Sequence, residues 1–393
     1  MLKQIFSISL LNLKSIPQRF APSLVVIVGL AGVVAVFTAL LAMAQGFSAT
    51  LQSTGRADSA IMLRGGSNGA ELNSGFGRDE VTLIKLGPGI RKGEDGQPLA
   101  AGELLVITEL PRRGQPDSAV NVTIRGVEDA SFALRPNLEI VEGRRFTPGL
   151  RELIVGRGVA RQFDGVEVGS MLRMRGSEWN VVGVFEAGNA HDSELWTGLE
   201  VAQTTFGRNG ASVVLAGLEN ADSLETLKTG LSADPRLKVD VNSEQAHYSN
   251  QTRQFRATIG ALAGAVTLIM GLGAIFAALN TMYAAVAART REIATLRAIG
   301  FSGFPVLVSV MIEAVTLAFF GGVLGAAIAW LLFDNLTVST LGQSFTQVVF
   351  AFKVSFGLVV TGLIIAVVIG AIGGLLPAIR AARLPVTTAL RTQ

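Results

Sequence analysis

Residues 20–55, FAPSLVVIVGLAGVVAVFTALLAMAQGFSATLQSTG, decide the fold: they contain no Asp, Glu, Lys or Arg. A helix rises about 1.5 Å per residue, and roughly 20 apolar residues cross a bilayer core. Three more runs are equally free of charge, at 257–288, 314–333 and 354–379. The chain has 393 residues, 49% hydrophobic and only 16% charged. A soluble domain carries about 25% charged residues. Because the deficit is concentrated in these four runs, a plain soluble enzyme is excluded. The expected fold class is an α-helical membrane protein. Four transmembrane helices carry one large mixed α/β domain between the first and the second.

Working outward, the spans are placed at 21–44, 257–288, 303–333 and 354–379. The large domain takes 45–256, a cytoplasmic segment 289–302, a short outer loop 334–353 and a tail 380–393. Ala42-Met43-Ala44 resembles a signal-peptidase site. The apolar run nevertheless exceeds the 7–15 residues of a signal peptide, so an uncleaved helix near Pro22–Ala44 is expected. Leu2, Ile5, Phe6, Leu10, Leu13 and Ile16 recur at near-helical spacing. Residues 1–20 therefore read as an amphipathic helix on the inner membrane surface, the alternative being a plain extension of the first span.

Charge sets the orientation. Residues 45–256 hold 23 Lys and Arg against 27 Asp and Glu, a balance of −4, and the remainder holds 10 against 3, a balance of +7. The basic residues flank the spans: Lys3, Lys14 and Arg19; Arg289, Arg291 and Arg297; Arg380, Arg383 and Arg391. Short Lys/Arg-rich loops stay cytoplasmic. Both termini are thus expected inside and the 45–256 domain outside. No basic stripe with interleaved aromatics suggests nucleic-acid binding.

Chemistry is sparse. The chain has no cysteine and two histidines, His191 and His247, so thiolate metal sites and cysteine nucleophiles are excluded. His191, Asp192 and Ser193 are adjacent, but adjacency does not build a triad. No catalytic residue and no metal site is expected. No G-x-x-x-x-G-K-[ST] loop is present, so no cofactor is expected on this chain, and any ATP would be bound by a separate subunit. Within the domain, Ala119–Val127, Ser170–Arg175 and Trp179–Phe185 alternate as strands. Val155–Phe163 and Ala221–Ser232 read as helices, the latter capped by Asp222. Residues 65–77, GGSNGAELNSGFG, read as a solvated loop.

The spans lack a polar pathway. Glu313 stands alone in the third, with Asn280 and a few threonines for company. Two readings stand: a hydrogen bond to Asn280 or a backbone carbonyl, or a charge used in a working cycle. The pairs Gly260/Gly264, Gly321/Gly325 and Gly370/Gly374 each form G-x-x-x-G, which lets helices approach closely.

Three stretches carry a family resemblance. Ala288-Arg289-Thr290-Arg291-Glu292-Ile293-Ala294-Thr295-Leu296-Arg297-Ala298-Ile299-Gly300 follows the second span. Ile312-Glu313-Ala314 precedes Gly321-Gly322-Val323-Leu324-Gly325 in the third. Gly374-Leu375-Leu376-Pro377-Ala378-Ile379-Arg380-Ala381-Ala382-Arg383 closes the fourth. Together they resemble MacB/FtsX-type ABC transporter permeases. In the outer domain Ile124–Val127, Val141–Phe146, Leu153–Gly156 and Val181–Phe185 follow the MacB-like order. Ala288 stands where many members have Glu, and Leu384 or Thr387 where many have an acidic residue.

The resemblance implies a stand-alone permease in a bacterial inner membrane. It would pair with a second copy of itself and with two copies of a cytoplasmic ATPase that holds ATP and magnesium. It further implies that Arg289, Arg291, Glu292, Ile293, Leu296, Arg297 and Gly300 form the ATPase-coupling segment. Ile293 and Leu296 would give apolar contact, and the arginines and Glu292 charged contact. For Arg289 and Arg291, topology and binding of membrane lipid headgroups is the competing reading. The implied function is export of a periplasmic substrate with an adaptor and an outer-membrane duct. The alternatives are an FtsX-like signalling scaffold for a cell-wall hydrolase and LolC/LolE-like lipoprotein extraction.

Overall fold

The computed structural model describes residues 5–6, 9–10, 20–220, 222–341 and 347–384. The surface helix expected over 1–20 and the tail beyond 384 lie largely outside the described residues. The chain opens with α1 (Phe20–Gln52), followed by β1 (Ser59–Arg64), α2 (Arg78–Lys85), β2 (Ala100–Arg112) and β3 (Gln115–Val127). Next come α3 (Asp129–Leu134), β4 (Glu139–Gly143), β5 (Glu152–Gly156), α4 (Arg157–Gln162), β6 (Met171–Met174) and β7 (Ser177–Glu186). Then follow β8 (Glu194–Gly198), α5 (Leu199–Phe206), β9 (Val213–Gly217), α6 (Ser223–Ser232) and β10 (Val239–Ser243). The chain continues with α7 (Glu244–Ala288), α8 (Thr290–Ala298), α9 (Gly303–Phe333), β11 (Thr337–Leu341), β12 (Gln347–Ala351) and α10 (Phe356–Ala382).

These elements form two compact units. One holds Gly46–Phe255 together with Thr337–Ala351. Its sheet runs β10-β1-β9-β2-β3-β8-β5-β7-β4, with β6 on β7. Among the described residues only β3–β8 and β5–β7 pair parallel. Strands β5 and β9 are buried along their whole length, as expected of apolar runs covered on both faces. Trp179, Trp196, Phe163 and Phe185 are the largest fully buried side chains. At Gly143, φ is +73° and a Cβ would lie 2.2 Å from the Val182 carbonyl oxygen. The Glu-Gly-Arg motif therefore needs glycine where β4 bulges against β7.

Three local readings are corrected. Val155 lies within β5 rather than opening a helix, which begins only at Arg157, because Leu153, Ile154 and Val155 fill the sheet interior. Asp222 makes no side-chain cap on α6. Instead Asn220 Oδ1 accepts from the Asp222 and Ser223 amides at 3.0 and 3.1 Å. The 65–77 segment is not a solvated tip throughout: Glu71, Ser74 and Phe76 are buried. The 334–353 loop also carries more structure than expected, since β11 and β12 pair as a hairpin and belong to the sheet unit.

The second unit comprises the chain up to Gln45, Arg256–Leu336 and the chain from Phe352. Its helices α1, α7, α9 and α10 are each long and apolar enough to cross a membrane. Lipid tails are as apolar as leucine, so small residues rather than hydrophobic drive allow such helices to pack. A Cβ at Gly325 would fall 2.4 Å from the Ala31 carbonyl oxygen, and one at Gly321 2.9 Å from that of Ile27. At Gly370 and Gly374 it would meet the Cβ atoms of Ala318 and Ala314 at 2.3 and 2.4 Å. Gly322, Gly362 and Gly373, which lie outside the three motifs, are almost as tight. Gly260 and Gly264 have no described atom within 4 Å. Gly325→Leu is therefore expected to lower stability in detergent by about 1–3 kcal/mol through overpacking, and Gly260→Leu to leave the melting temperature unchanged. Equal shifts for the two variants would contradict this division.

Candidate functional site

Helix α7 ends at Ala288, and Arg289 turns the chain (φ −105°, ψ 11°) into α8. Along α8, Ile293 and Ala294 are buried, with Ile293 in a cluster that includes Met282, Val286, Val306 and Val310. Arg291 and Glu292 are exposed, and Leu296 and Arg297 are half-buried. The chain leaves α8 through exposed Gly300 at φ +103°, a conformation that favours glycine. Arg297 Nη1 donates to the Leu384 carbonyl, which ties the start of the tail to α8. Arg380 lies over the Tyr283 ring at 5.5 Å.

The segment thus splits by periodicity. Arg289 does not face outward with the other arginines: its guanidinium is buried and reaches the Glu313 carboxylate at 3.3 and 3.5 Å. Glu313 therefore meets a cation from the end of α7 rather than Asn280, which is exposed. Ile293 likewise packs inward. Just beyond α8, Ile299, 68% accessible, and Phe304, 54% accessible, are exposed apolar side chains. Sequence reasoning passed over both, because a lone apolar residue beside a glycine carries no periodic signal.

A second polar centre lies inside the sheet unit. Arg125, from β3, donates to Glu194 at 2.8 and 2.7 Å, to Glu103 at 2.9 Å and to Glu71 at 3.2 Å. Arg135 holds Glu103 at 2.6 and 3.0 Å and donates through Nε to His191 Nε2 at 3.0 Å. His191 Nδ1 lies 3.2 Å from Glu194. Trp196 Nε1 donates to the same carboxylate at 2.7 Å. Burial alone would raise the Glu71 carboxyl, but the charge of Arg125 and the His247 side chain bring it down to about 2. Burial likewise acts against ionised Glu194 and Glu103; Arg125 and the His191 side chain override it at Glu194, and Arg135 with Arg125 at Glu103, so both are held low. Burial pushes His191 down, keeping it a neutral bridge. Asp192 accepts from the Ala187 and Gly188 amides, and Ser193 from the Val349 amide. The adjacent His191, Asp192 and Ser193 thus serve three separate contacts and do not form a triad. Among the described residues no group of three ligating side chains is placed to hold a metal.

The MacB-like periplasmic core domain model matches residues 23–233, and the FtsX-like permease C-terminal model matches 264–386. The chain belongs to the MacB/FtsX-type ABC transporter permeases. It is 27% identical to the uncharacterized ABC transporter permease YvrN of Bacillus subtilis, over 93% of each chain. It is 27% identical to the macrolide export ATP-binding/permease protein MacB of Bdellovibrio bacteriovorus, over 69% of this chain and 44% of that one. The solved periplasmic region of MacB from Actinobacillus actinomycetemcomitans covers 52% of this chain at 10% identity, with 92% of that region matched and a TM-score of 0.36. As a MacB/FtsX-type permease, the chain is a membrane protein with a periplasmic domain. The FtsX-like match spans α8, Glu313 and the glycines of α9 and α10.

Proposed function

We propose that this permease is the non-catalytic half of a complex with a separate cytoplasmic ATPase, and that it conveys ATP-driven motion to its outer domain. One observation supports the reading best. Helix α8 is anchored inward by Arg289, Ile293 and Ala294 while presenting Arg291, Glu292 and, just beyond it, Ile299 outward. A short helix held on one face and bare on the other suits docking into a groove, with Ile299 as apolar contact and the two charges at the rim. The partner ATPase would bind ATP and magnesium, since this chain has no phosphate-cradling loop. Both termini would lie on the ATPase side, and two permease copies would pair with two ATPases. The spans, poor in polar residues, suit transmission of movement more than passage of a solute. Work in the periplasm would be export of a substrate delivered there, with an adaptor and, where the cell has an outer membrane, a duct.

Glu292→Lys tests the docking. In the complex reconstituted with its ATPase, reversing this charge should weaken assembly at least about tenfold, or about 1.4 kcal/mol, and abolish stimulation of ATP hydrolysis. Unchanged assembly and stimulation would sink the docking role.

A further inference from the structure

Three pieces of chain carry the membrane helices into the sheet unit: the end of α1, the start of α7, and the β11–β12 hairpin between α9 and α10. Two of them make polar contact with one small turn, and the third reaches it through a chain of buried charges. After α1, Thr54 Oγ1 accepts from the Ala190 amide at 3.0 Å. Two residues on, the Arg56 amide donates to Glu244 Oε2, at the start of α7, at 3.1 Å. From the hairpin, the Val349 amide donates to Ser193 Oγ at 2.8 Å. From α7, Tyr248 Oη donates to Glu71 Oε1 at 3.2 Å, and Glu71 leads through Arg125 to Glu194. Ala190, His191, Ser193 and Glu194 thus lie within five residues of sequence, on a 3₁₀ turn that runs into β8.

Beneath that turn lies the sealed charge cluster. Apolar contacts are non-directional and tolerate sliding, whereas charge-assisted hydrogen bonds in a water-free interior are strong and directional. Glu103, fully buried, ties Arg125 to Arg135, and Arg135 returns to His191. The loop is closed, so displacing the turn displaces β2, β3 and β8 together.

We infer that the Ala190–Glu194 turn, locked to the Arg125–Arg135 cluster, is the joint through which motion of the membrane helices enters the outer domain. This rests on the mechanical reading proposed above. A hydrophobic core alone would hold the domain together; it does not require two entries to meet at one polar turn and the third to be tied to the charge cluster locked to it.

The chain has no cysteine, so one engineered pair reports cleanly. In the complex with its ATPase, spin labels at Met171→Cys and Leu331→Cys, both highly exposed positions outside the docking segment, should change separation when ATP is trapped. In a Thr54→Val/Ser193→Ala background the hydroxyl acceptors for the Ala190 and Val349 amides are gone. The ATP-dependent change should then fall to less than half, while ATP binding and the nucleotide-free distance stay as in the parent. Thr54→Ser/Ser193→Thr keeps both hydroxyls and should restore the response. This rescue separates loss of the joint from loss of folding. A full response in the Val/Ala background would overturn the joint alone. No ATP-dependent change in the parent would overturn the mechanical reading and the joint with it.

Discussion

Arg125→Met should be the most damaging single change in the outer domain. Methionine fits the space roughly but leaves Glu71, Glu103 and Glu194 around a vanished cation. Removing one partner of a buried ion pair costs about 3–5 kcal/mol, a large share of the roughly 5–15 kcal/mol that holds a domain folded. Unfolding of the full-length protein in detergent, followed by fluorescence of buried Trp179 and Trp196, would show it. The pH dependence carries a further signature. In the parent, Glu71 has a folded pKa of about 2 against an ordinary 4.5. A lowered pKa contributes stability above the unfolded value, and that stability is lost as pH falls from about 4.5 through about 2. Without Arg125, burial should instead raise the Glu71 and Glu194 carboxyls above their unfolded values. The sign then reverses: the variant should gain stability as pH drops from neutral towards 4.5. A variant that melts within a degree or two of the parent, or that only weakens in acid, would refute the assignment.

Glu313→Leu is expected to be comparably severe in the helical unit. It leaves the buried Arg289 guanidinium facing leucine, at a cost of about 3–5 kcal/mol. Replacing both, Arg289→Met with Glu313→Leu, removes both charges together and should recover most of the loss, because a buried pair is often neutral against an apolar one of similar volume. The double-mutant cycle on melting in detergent measures the pairing directly. Arg289 is the corner between α7 and α8, so the single variant should also lose ATPase coupling, and the double variant should regain it. Recovered stability without coupling would show that the charge itself is used in the cycle. A single variant as stable as the parent would sink the pairing.

The pair explains why the 289–300 segment was only half legible. Its sequence reads as a basic cytoplasmic stretch with one acidic residue, Glu292, and topology rules treat every arginine alike. Helical phase in the folded chain separates Arg289, turned onto Glu313, from Arg291, exposed two residues later. The same holds for Ile293, which the core claims before any partner can. Glycine motifs show a similar split. Gly321/Gly325 and Gly370/Gly374 sit against neighbouring helices, and Gly260/Gly264 meet no described atom. The i, i+4 spacing is identical in all three and does not say which face a neighbour occupies.

The sequence by itself determined the four spans, the large domain between the first two, and the family. Each is written in local or ordered features: charge-free runs, strand alternation, and motifs whose order survives without knowing the fold. Only the tertiary structure decided the charge cluster and the joint. Glu71 reaches Arg125 across 54 residues of chain, Arg125 reaches Glu194 across 69, and Tyr248 reaches Glu71 across 177. Any one of these carboxylates reads as a surface charge in its own neighbourhood. Ionic residues can be buried only when partners satisfy them, and these partners meet only when the sheet is assembled. Hydrophobic runs announce themselves because burial depends on composition within one helix or strand. Buried charges do not, because their stability belongs to a set of residues that the chain never places together.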